Sequence, residues 1–295
     1  MATRAGGGYD TYARVITKYM ARRIPNVKFT VLNIQGAANI IGANQIYDAP
    51  PDGLTMGTFT MGLMYSQLTA APGVRFDLTK MSWIGKAASE PRALSVGQKS
   101  GFTSVEDLRR SPKPVRLGTG PVGSPTYFAT QMLGEATGFP VEVVPGFEED
   151  ETVLAALRGD FAGGMSSPTS VAPMVKQGLL RILMSVGTGP ELPPSVVDAR
   201  TITTSPLGHS LMTFGALQSE LGRVTAAPPG VPADRLQVLR EAYMSAVNDP
   251  ALQAELRQIG FPVDPMDGLT VTAKVAQALH PSSDVAAWLR AAAAR

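Results

Sequence analysis

Residues 115–138 read VRLGTGPVGSPTYFATQMLGEATG and indicate the fold class of this chain. The apolar run Val115–Gly118 predicts a short strand, and a glycine-rich turn follows it. Ser124 and Pro125 are residue types that begin helices, as the N-cap and the first helical residue, and Gly138 is a residue type that ends them. A strand connected to a helix by a short turn is the repeating unit of α/β proteins.

The same alternation of short apolar runs and amphipathic stretches extends through the rest of the chain. It predicts α/β units around a largely parallel sheet. Further strands are predicted at 27–34, 54–60, 81–86, 93–96, 141–144, 161–165 and 180–186, with extended stretches at 214–217 and 224–226. Helices are predicted after Asp10, over 37–47, after a T-x-x-E capping box formed by Thr103 and Glu106, after 148–151, over 171–177, and in several segments from 232 to the C-terminus.

Composition restricts the classes of function. A length of 295 residues suggests two domains. The net charge of +2 comes from scattered basic residues, so no nucleic-acid partner is expected. The sequence has no cysteine, and its two histidines, His209 and His280, are far apart, so neither a metal site nor a cofactor is expected. No run of residues reaches the roughly 18 apolar residues of a membrane span.

Three turns rich in glycine or hydroxyl groups are candidates for ligand binding, at 6–10, 118–124 and 163–167. Glycine lets the backbone approach a ligand closely, and a helix N-terminus offers free N–H groups and partial positive charge to an anion. Ligands of open α/β sheets bind beyond the carboxyl ends of the strands. Two such turns facing one another would bind a carboxylate without an arginine side chain.

Simpler interpretations stay open for the same residues. Asp10 and Ser124 are also typical helix caps, and Ser166 and Ser167 could simply end a strand. Met61 is more typical of a hydrophobic core than of a ligand contact. The sequence contains neither a dinucleotide-binding fingerprint, nor a P-loop, nor a G-x-S-x-G elbow.

Six segments, in order, resemble the periplasmic substrate-binding receptors of tripartite tricarboxylate transporters, also called the Bug family. They are GGGYDTYAR at 6–14, N-x-x-G-A-x-N-x-x-G at 33–42, PDGLT at 51–55, the glycine and serine loop at 118–124, the turn that begins at Gly159, and APPGVP at 227–232. Two positions depart from the family pattern. Ala162 stands where the family has an aspartate, and Pro121 replaces a small polar residue and removes an N–H donor.

The resemblance implies the two-lobed type II fold of periplasmic binding proteins, with a ligand cleft between the lobes. Residues 1–98 and 220–295 would form lobe one and residues 99–219 lobe two, with closure at crossovers near Lys99 and Ser219. In the family the first two loops bind one ligand carboxylate and the third faces the distal end of the ligand. The implied ligand-binding residues are Gly7, Gly8, Tyr9, Asp10, Thr119, Gly123 and Ser124 for the carboxylate, Ser166 and Ser167 for selectivity, and Thr58 and Met61 lining the same cleft.

Family members also carry a strand just ahead of the first glycine loop and an export signal before that strand. Neither is visible in the residues that precede Gly6, and no signal peptide can be recognised there. We therefore expect that this sequence is truncated and that its first lobe lacks a central strand.

These observations predict a receptor that captures a small organic acid in the periplasm for the membrane subunits of a tripartite transporter. It is expected to be monomeric and to have no enzymatic activity. Two alternatives stay open. One is a sensing module that reports ligand binding to a membrane kinase of a two-component system, and the other is a two-lobed transferase or hydrolase whose base would be Asp10 or His209.

Overall fold

A computed structural model describes residues 6–294, and the expectations about the residues before Gly6 lie outside this range. The α-helices of the described range are α1 (Gly8–Met20), α2 (Ile40–Tyr47), α3 (Leu63–Leu68), α4 (Val105–Arg109), α5 (Pro125–Thr137), α6 (Glu149–Arg158), α7 (Pro168–Lys176), α8 (Pro206–Glu220), α9 (Ala233–Val247), α10 (Pro250–Gln258), α11 (Gly268–Ala278) and α12 (Ser283–Ala293). The strands are β1 (Gly57–Phe59), β2 (Ser82–Lys86), β3 (Arg92–Gly97), β4 (Val115–Gly118), β5 (Val141–Val144), β6 (Gly163–Ser166), β7 (Leu180–Val186), β8 (Val197–Asp198), β9 (Val224–Ala227) and β10 (Met266–Asp267). Short 3₁₀ helices lie at Ala37–Asn39, Gln98–Ser100 and Ala199–Ile202.

The chain forms two compact units. The first comprises the described residues up to Ser89 together with Leu221–His280, and the second comprises Glu90–Glu220 and the residues from Pro281 onward. The first division lies before the expected boundary at 98/99, because β3 is hydrogen-bonded to β6 and β7 of the second unit. Helix α12, expected in lobe one, belongs to the second unit, where the Tyr127 hydroxyl of α5 donates to the Ala292 carbonyl at 3.3 Å.

The sheet of the first unit has the strand order β1-β9-β2-β10, and each neighbouring pair is antiparallel. The prediction of a largely parallel sheet is therefore wrong for this unit. Helices α1, α9 and α10 pack around a core that includes the buried side chains of Tyr12, Ile16, Met20, Tyr243 and Leu256. This core fixes α1, and with it the first glycine loop, against the unit.

The sheet of the second unit has the order β5-β4-β6-β3-β7-β8. Strand β4 is parallel to β5 and β6, and β7 is parallel to β8, whereas β3 is antiparallel to both of its neighbours. Gly118 pairs with Gly164, so the carboxyl ends of β4 and β6 lie side by side. The second and third predicted loops therefore leave the same edge of one sheet.

Local chemistry accounts for the helix ends near these loops. The caps predicted for α5 are confirmed, because Ser124 Oγ accepts a hydrogen bond from the Tyr127 N–H at 3.3 Å and Gly138 has a left-handed φ of 74°. The capping box of α4 lies one residue later than predicted. There the Asp107 N–H donates to Ser104 Oγ at 3.2 Å, and the Ser104 N–H donates to the Asp107 carboxylate at 2.9 Å.

Three extended predictions are wrong in whole or in part. Residues 214–217 lie inside α8, whose buried positions Leu211, Met212, Phe214 and Gly215 recur at helical spacing. Residues 27–34 take part in no strand ladder. The strand predicted over 54–60 is reduced to β1, which pairs only with β9 among the described strands. A strand exists only where a neighbour supplies hydrogen bonds, and the described residues supply none to 27–34 and only β9 to β1.

Candidate functional site

The first glycine loop leads directly into α1. The first intrahelical hydrogen bond runs from the Thr11 N–H to the Gly7 carbonyl at 3.0 Å. The N–H groups of Gly8, Tyr9 and Asp10 therefore precede the internally bonded part of the helix. They form, together with the positive end of the helix dipole, the kind of group that binds an anion.

Asp10 is buried in the first turn of α1. Its carboxylate accepts hydrogen bonds from the Gly6 N–H at 2.9 Å, from Arg14 Nε at 2.9 Å and from Asn33 Nδ2 at 3.0 Å. Burial by itself raises the pKa of Asp10, but these hydrogen bonds outweigh burial and hold the pKa below its ordinary value. Asp10 is thus an ionised group that joins the loop to the segment containing Asn33.

Arg223 was not singled out from the sequence, yet its guanidinium lies at the first loop. Its Cζ is 3.8 Å from the centroid of the Tyr9 ring, and the residue is buried. A Cβ added at Gly8 would lie 3.2 Å from Arg223 Nη2, so glycine leaves room for the guanidinium beside the helix start. Arg223 precedes β9 and is more than 200 residues from the loop in sequence. No local pattern could have predicted this contact.

Thr58 and Met61 are both buried in the first unit. On β1, Thr58 faces Thr225 of β9, and their hydroxyl oxygens lie 3.2 Å apart. Thr58 also lines a cavity of about 500 Å³ within this unit. Met61 lies in the turn before α3, where its carbonyl accepts the Met64 N–H at 3.0 Å. The strand and the turn, not the first loop, position these two residues.

The second loop is a tight turn between β4 and α5. The Thr119 N–H donates to the Val144 carbonyl at 2.9 Å, and its hydroxyl donates to the Gly120 carbonyl at 3.0 Å. Gly123 has a φ of 82°, which glycine adopts without strain. Ser124 Oγ accepts a hydrogen bond at the start of α5, so its own proton can be donated to Thr126 Oγ1, 3.3 Å away, or to a ligand.

The third loop contacts an acidic side chain, that of Glu149, which lies outside the three predicted loops. Ser166 is buried, with its Oγ 2.9 Å from Ser95 Oγ of β3. The Ser167 N–H donates to Glu149 Oε1 at 3.0 Å, and Arg92 Nη1 lies 3.3 Å from Glu149 Oε2. Glu149 begins α6, which brings its carboxylate to the end of β6.

Each unit therefore brings together part of the predicted site. In the second unit the ladder between β4 and β6 places the second and third loops next to each other. In the first unit Gly7, Gly8, Tyr9 and Asp10 are contiguous, and Arg223, the residue before β9, lies beside them. Backbone N–H groups, hydroxyl groups and one guanidinium can bind and orient an anion by hydrogen bonding.

Within residues 6–294, no group of three or more histidine, aspartate or glutamate side chains could hold a metal ion. Of the helices described, none combines the length and the apolar character needed to cross a bilayer.

Comparison with known proteins assigns the chain to a family. Residues 12–282 match the tripartite tricarboxylate transporter family receptor, TctC. The UPF0065 protein in the tcbD-tcbE intergenic region of Pseudomonas sp. strain P51 is 24% identical over 265 residues, which cover 87% of this chain and 75% of that protein.

Solved structures agree with this assignment at the level of the fold. A TctC solute-binding protein from Polaromonas superposes with a TM-score of 0.75 at 20% identity, covering 99% of this chain and 95% of that chain. MatC from Rhodopseudomonas palustris, solved with bound malate, superposes with a TM-score of 0.70 at 18% identity, covering 99% and 96%. The two mixed α/β units therefore have the type II fold of periplasmic solute-binding proteins. Because the family match spans most of its length, this chain belongs to the tripartite tricarboxylate transporter receptor family.

Proposed function

We propose that this chain is a periplasmic receptor that captures a small organic acid for the membrane subunits of a tripartite transporter. The observation that carries the proposal is the start of α1 in the first glycine loop with the Arg223 guanidinium beside it, in a chain of this receptor family. The proposed ligand-binding residues are Gly7, Gly8, Tyr9, Asp10, Thr58, Met61, Thr119, Gly123, Ser124, Ser166 and Ser167, with Arg223 added.

In this proposal, the first loop binds the ligand carboxylate. The N–H groups of Gly8 and Tyr9 supply directed donors, and the helix dipole favours a negative charge there by about 0.3–1 kcal/mol. Arg223 adds a full positive charge and keeps Tyr9 in place by stacking on its ring. Asp10 acts indirectly, because its carboxylate already accepts three hydrogen bonds that hold the loop.

The second loop contributes hydroxyl donors, and the third loop sets the preference for the distal end of the ligand. Ser124 accepts a hydrogen bond at the start of α5, so its own proton can be donated to a ligand. Near Ser167, the Glu149 carboxylate would repel a second ligand carboxylate. A ligand hydroxyl or amide group could instead donate a hydrogen bond to Glu149. We therefore expect a ligand with one carboxylate and a hydrogen-bond donor at its other end.

We propose no enzymatic activity for this chain. Asp10, one of the candidate bases, has a lowered pKa and three internal donors, which makes it a weak proton acceptor. His209 is exposed on α8, and its backbone N–H is used in that helix. We also propose that the receptor is monomeric, which sedimentation of the ligand-free and ligand-bound protein would check.

Calorimetric titration tests the proposal. The panel contains short monocarboxylates, hydroxy acids and dicarboxylates such as malate. Each acid is tested beside the analogue that has an amide group in place of the carboxylate. We expect saturable binding of at least one acid and no detectable binding of its amide. Failure of all the acids to bind, or equal binding of an acid and its amide, would overturn carboxylate capture. Co-purification with the transporter membrane subunits, as opposed to a sensor kinase, would separate transport from sensing.

A further inference from the structure

Lys86 is a buried charged residue in the first unit, with a relative exposure of 1%. It lies at the end of β2, the strand between β9 and β10. Its Nζ donates to Asp264 Oδ2 at 2.8 Å and to Ser89 Oγ at 3.1 Å. A buried ammonium group is costly unless it is paired, so this charge fixes where Asp264 and Ser89 lie relative to β2.

Asp264 closes a triangle of hydrogen bonds around this ammonium group. Ser89 Oγ donates to the same Oδ2 atom at 2.6 Å. Burial by itself raises the pKa of Asp264, but the hydrogen bonds from Lys86 and Ser89 outweigh burial and hold the pKa below its ordinary value. Asp264 is therefore ionised at neutral pH, and one carboxylate holds both ends of the segment from Lys86 to Ser89.

This segment is hydrogen-bonded to the backbone of Arg223. The Ala87 N–H donates to the Arg223 carbonyl at 2.9 Å, and the Arg223 N–H donates to the Ala88 carbonyl at 2.8 Å. The Asp264 N–H donates to the Ala87 carbonyl at 2.8 Å. Ala87 is thus bonded to Arg223 through its N–H and to Asp264 through its carbonyl, so a shift of the ion pair would also displace Arg223.

The segment 261–264 also contacts the start of α1. A Cβ added at Gly8 would lie 3.1 Å from Phe261 Cε1, and the Phe261 ring meets the Tyr12 ring edge-on with their centroids 5.4 Å apart. The Tyr12 hydroxyl donates to the carbonyl of the residue after Phe261. The same four residues therefore contact both the helix start and the backbone that holds Arg223.

We propose that Lys86 and Asp264 are positioning residues that hold Arg223 at the first glycine loop. Their ion pair fixes the segment from Lys86 to Ser89, and this segment fixes the backbone of Arg223. The guanidinium then stays stacked on Tyr9 before a ligand arrives, which lowers the entropy cost of binding a carboxylate. This inference rests on the proposed role of Arg223 in carboxylate capture.

Nitrogen-15 NMR tests the position of Arg223 in the absence of ligand. Its Nε–H signal is the one missing from the spectrum of Arg223→Lys, and Tyr9→Leu gives the position of that signal without the ring. We expect Lys86→Met and Asp264→Asn to move the signal towards this unstacked position. Ser89→Ala removes only the bridging hydroxyl and keeps both charges, so it should move the signal the same way by less. This milder variant decides the question if either charge variant folds poorly.

Titration of the same proteins with malate and with acetate measures carboxylate binding. We expect the dissociation constant to rise about threefold to tenfold in Lys86→Met and in Asp264→Asn, as is usual for substitutions that act on a site without touching its ligand. The two effects should not add in the double variant, because the pair acts as a unit. The control is Arg23→Met, which breaks an ion pair of 2.7 Å with Asp249 in the same unit. It should lower stability but leave the NMR signal and the dissociation constant unchanged.

Three outcomes would overturn the proposal. An Arg223 signal that stays in place in both charge variants would show that the ion pair does not hold the guanidinium. Equal displacement in Arg23→Met would show that any loss of stability moves the signal. A displaced signal with an unchanged dissociation constant would show that this position of Arg223 is not needed for binding. Failure of the unchanged chain to bind any acid would count against carboxylate capture alone, since the NMR signal still decides whether the pair positions Arg223.

Discussion

At the scale of single residues, Asp10 shows how one buried charge can hold a loop in place. Its carboxylate accepts three hydrogen bonds, from a backbone N–H, an arginine and an asparagine. Burial opposes its ionisation, but these donors keep its pKa below the ordinary value of an aspartate. An ionised Asp10 therefore stabilises the folded state at pH values above the unfolded pKa of about 3.9, and this contribution disappears as the pH falls through the lower, folded pKa.

We expect Asp10→Asn to lower the free energy of unfolding by about 1–3 kcal/mol at pH 7, because donors near residue 10 lose a charged acceptor. We also expect the variant to lose less stability than the unchanged chain between pH 4 and pH 2.5. Urea unfolding across this range measures both effects. Asp234→Asn, at an exposed residue in the first turn of α9, is the control. If the stability of the unchanged chain and that of Asp10→Asn fell in parallel with pH, ionised Asp10 would not be a stabilising group.

Arg223 can be tested against a second arginine that stacks on a tyrosine of the same unit. Its Cζ lies 3.8 Å from the Tyr9 ring, and Cζ of Arg22 lies 4.4 Å from the Tyr19 ring. We expect Arg223→Ala to weaken carboxylate binding about tenfold or more, because a charge-assisted contact contributes roughly 1.5–3 kcal/mol. Arg223→Lys should be intermediate, since it keeps the charge but not the planar stack. Arg22→Ala should bind the ligand normally in calorimetry, and equal losses for Arg22 and Arg223 would remove Arg223 from the site.

Glu149 allows a test of selectivity rather than of affinity alone. Its carboxylate accepts the Ser167 N–H and lies near Arg92. We expect Glu149→Gln to improve the binding of dicarboxylates relative to monocarboxylates by about tenfold, because a like charge near the distal end is removed. Glu142→Gln, which alters an exposed ion pair with Arg116 in the same unit, should leave the ratio unchanged. A constant ratio of dissociation constants in Glu149→Gln would place the distal end of the ligand elsewhere.

At the scale of elements, two serine N-caps in the second unit allow the effect of a cap on stability to be measured separately from its effect on ligand binding. Ser124 caps α5 and Ser104 caps α4, each by accepting a backbone N–H. We expect both Ser124→Ala and Ser104→Ala to lower stability by about 1 kcal/mol, the usual cost of losing an N-cap. Only Ser124→Ala should also weaken ligand binding, because only that cap is in a proposed binding loop. If calorimetry shows unchanged affinity for Ser124→Ala, Ser124 is a helix cap and nothing more.

The elements also show what the sequence could and could not predict. The caps of α5 were predictable because Ser124, Pro125 and Gly138 act on the backbone within a few residues of themselves. The contact of Arg223 with Tyr9 was not, since it depends on how β9 and α1 pack within the first unit. The error at 214–217 has a similar cause, because short apolar runs fit either a strand or a buried helix until their neighbours are known.

The strand prediction for 27–34 was wrong for a different reason. Its residues VKFTVLNI include several β-branched and aromatic types that are typical of a strand. No neighbouring strand completes its hydrogen bonds in the described residues, so the local preference is not realised. Sequence preference can thus identify a segment that is ready to pair without establishing that its partner is present.

At the scale of the whole molecule, the two tryptophans report on different units. Trp83 is buried in the first unit, with its Nε1 donating to the Leu78 carbonyl at 3.0 Å, and Trp288 lies on α12 of the second unit. The sequence contains two tryptophans, so Trp288→Phe leaves a reporter in the first unit and Trp83→Phe leaves one in the second. Fluorescence during urea unfolding can therefore follow each unit separately.

We expect a carboxylate ligand at a hundredfold excess over its dissociation constant to stabilise the fold by about 2.7 kcal/mol, as mass action requires. If residues of both units bind the same ligand, both reporters should shift to higher urea. Adding Arg223→Ala of the first unit or Ser124→Ala of the second should then reduce both shifts together. A ligand that moves one reporter only, or a variant that reduces the shift of its own unit alone, would show that a single unit carries the binding residues.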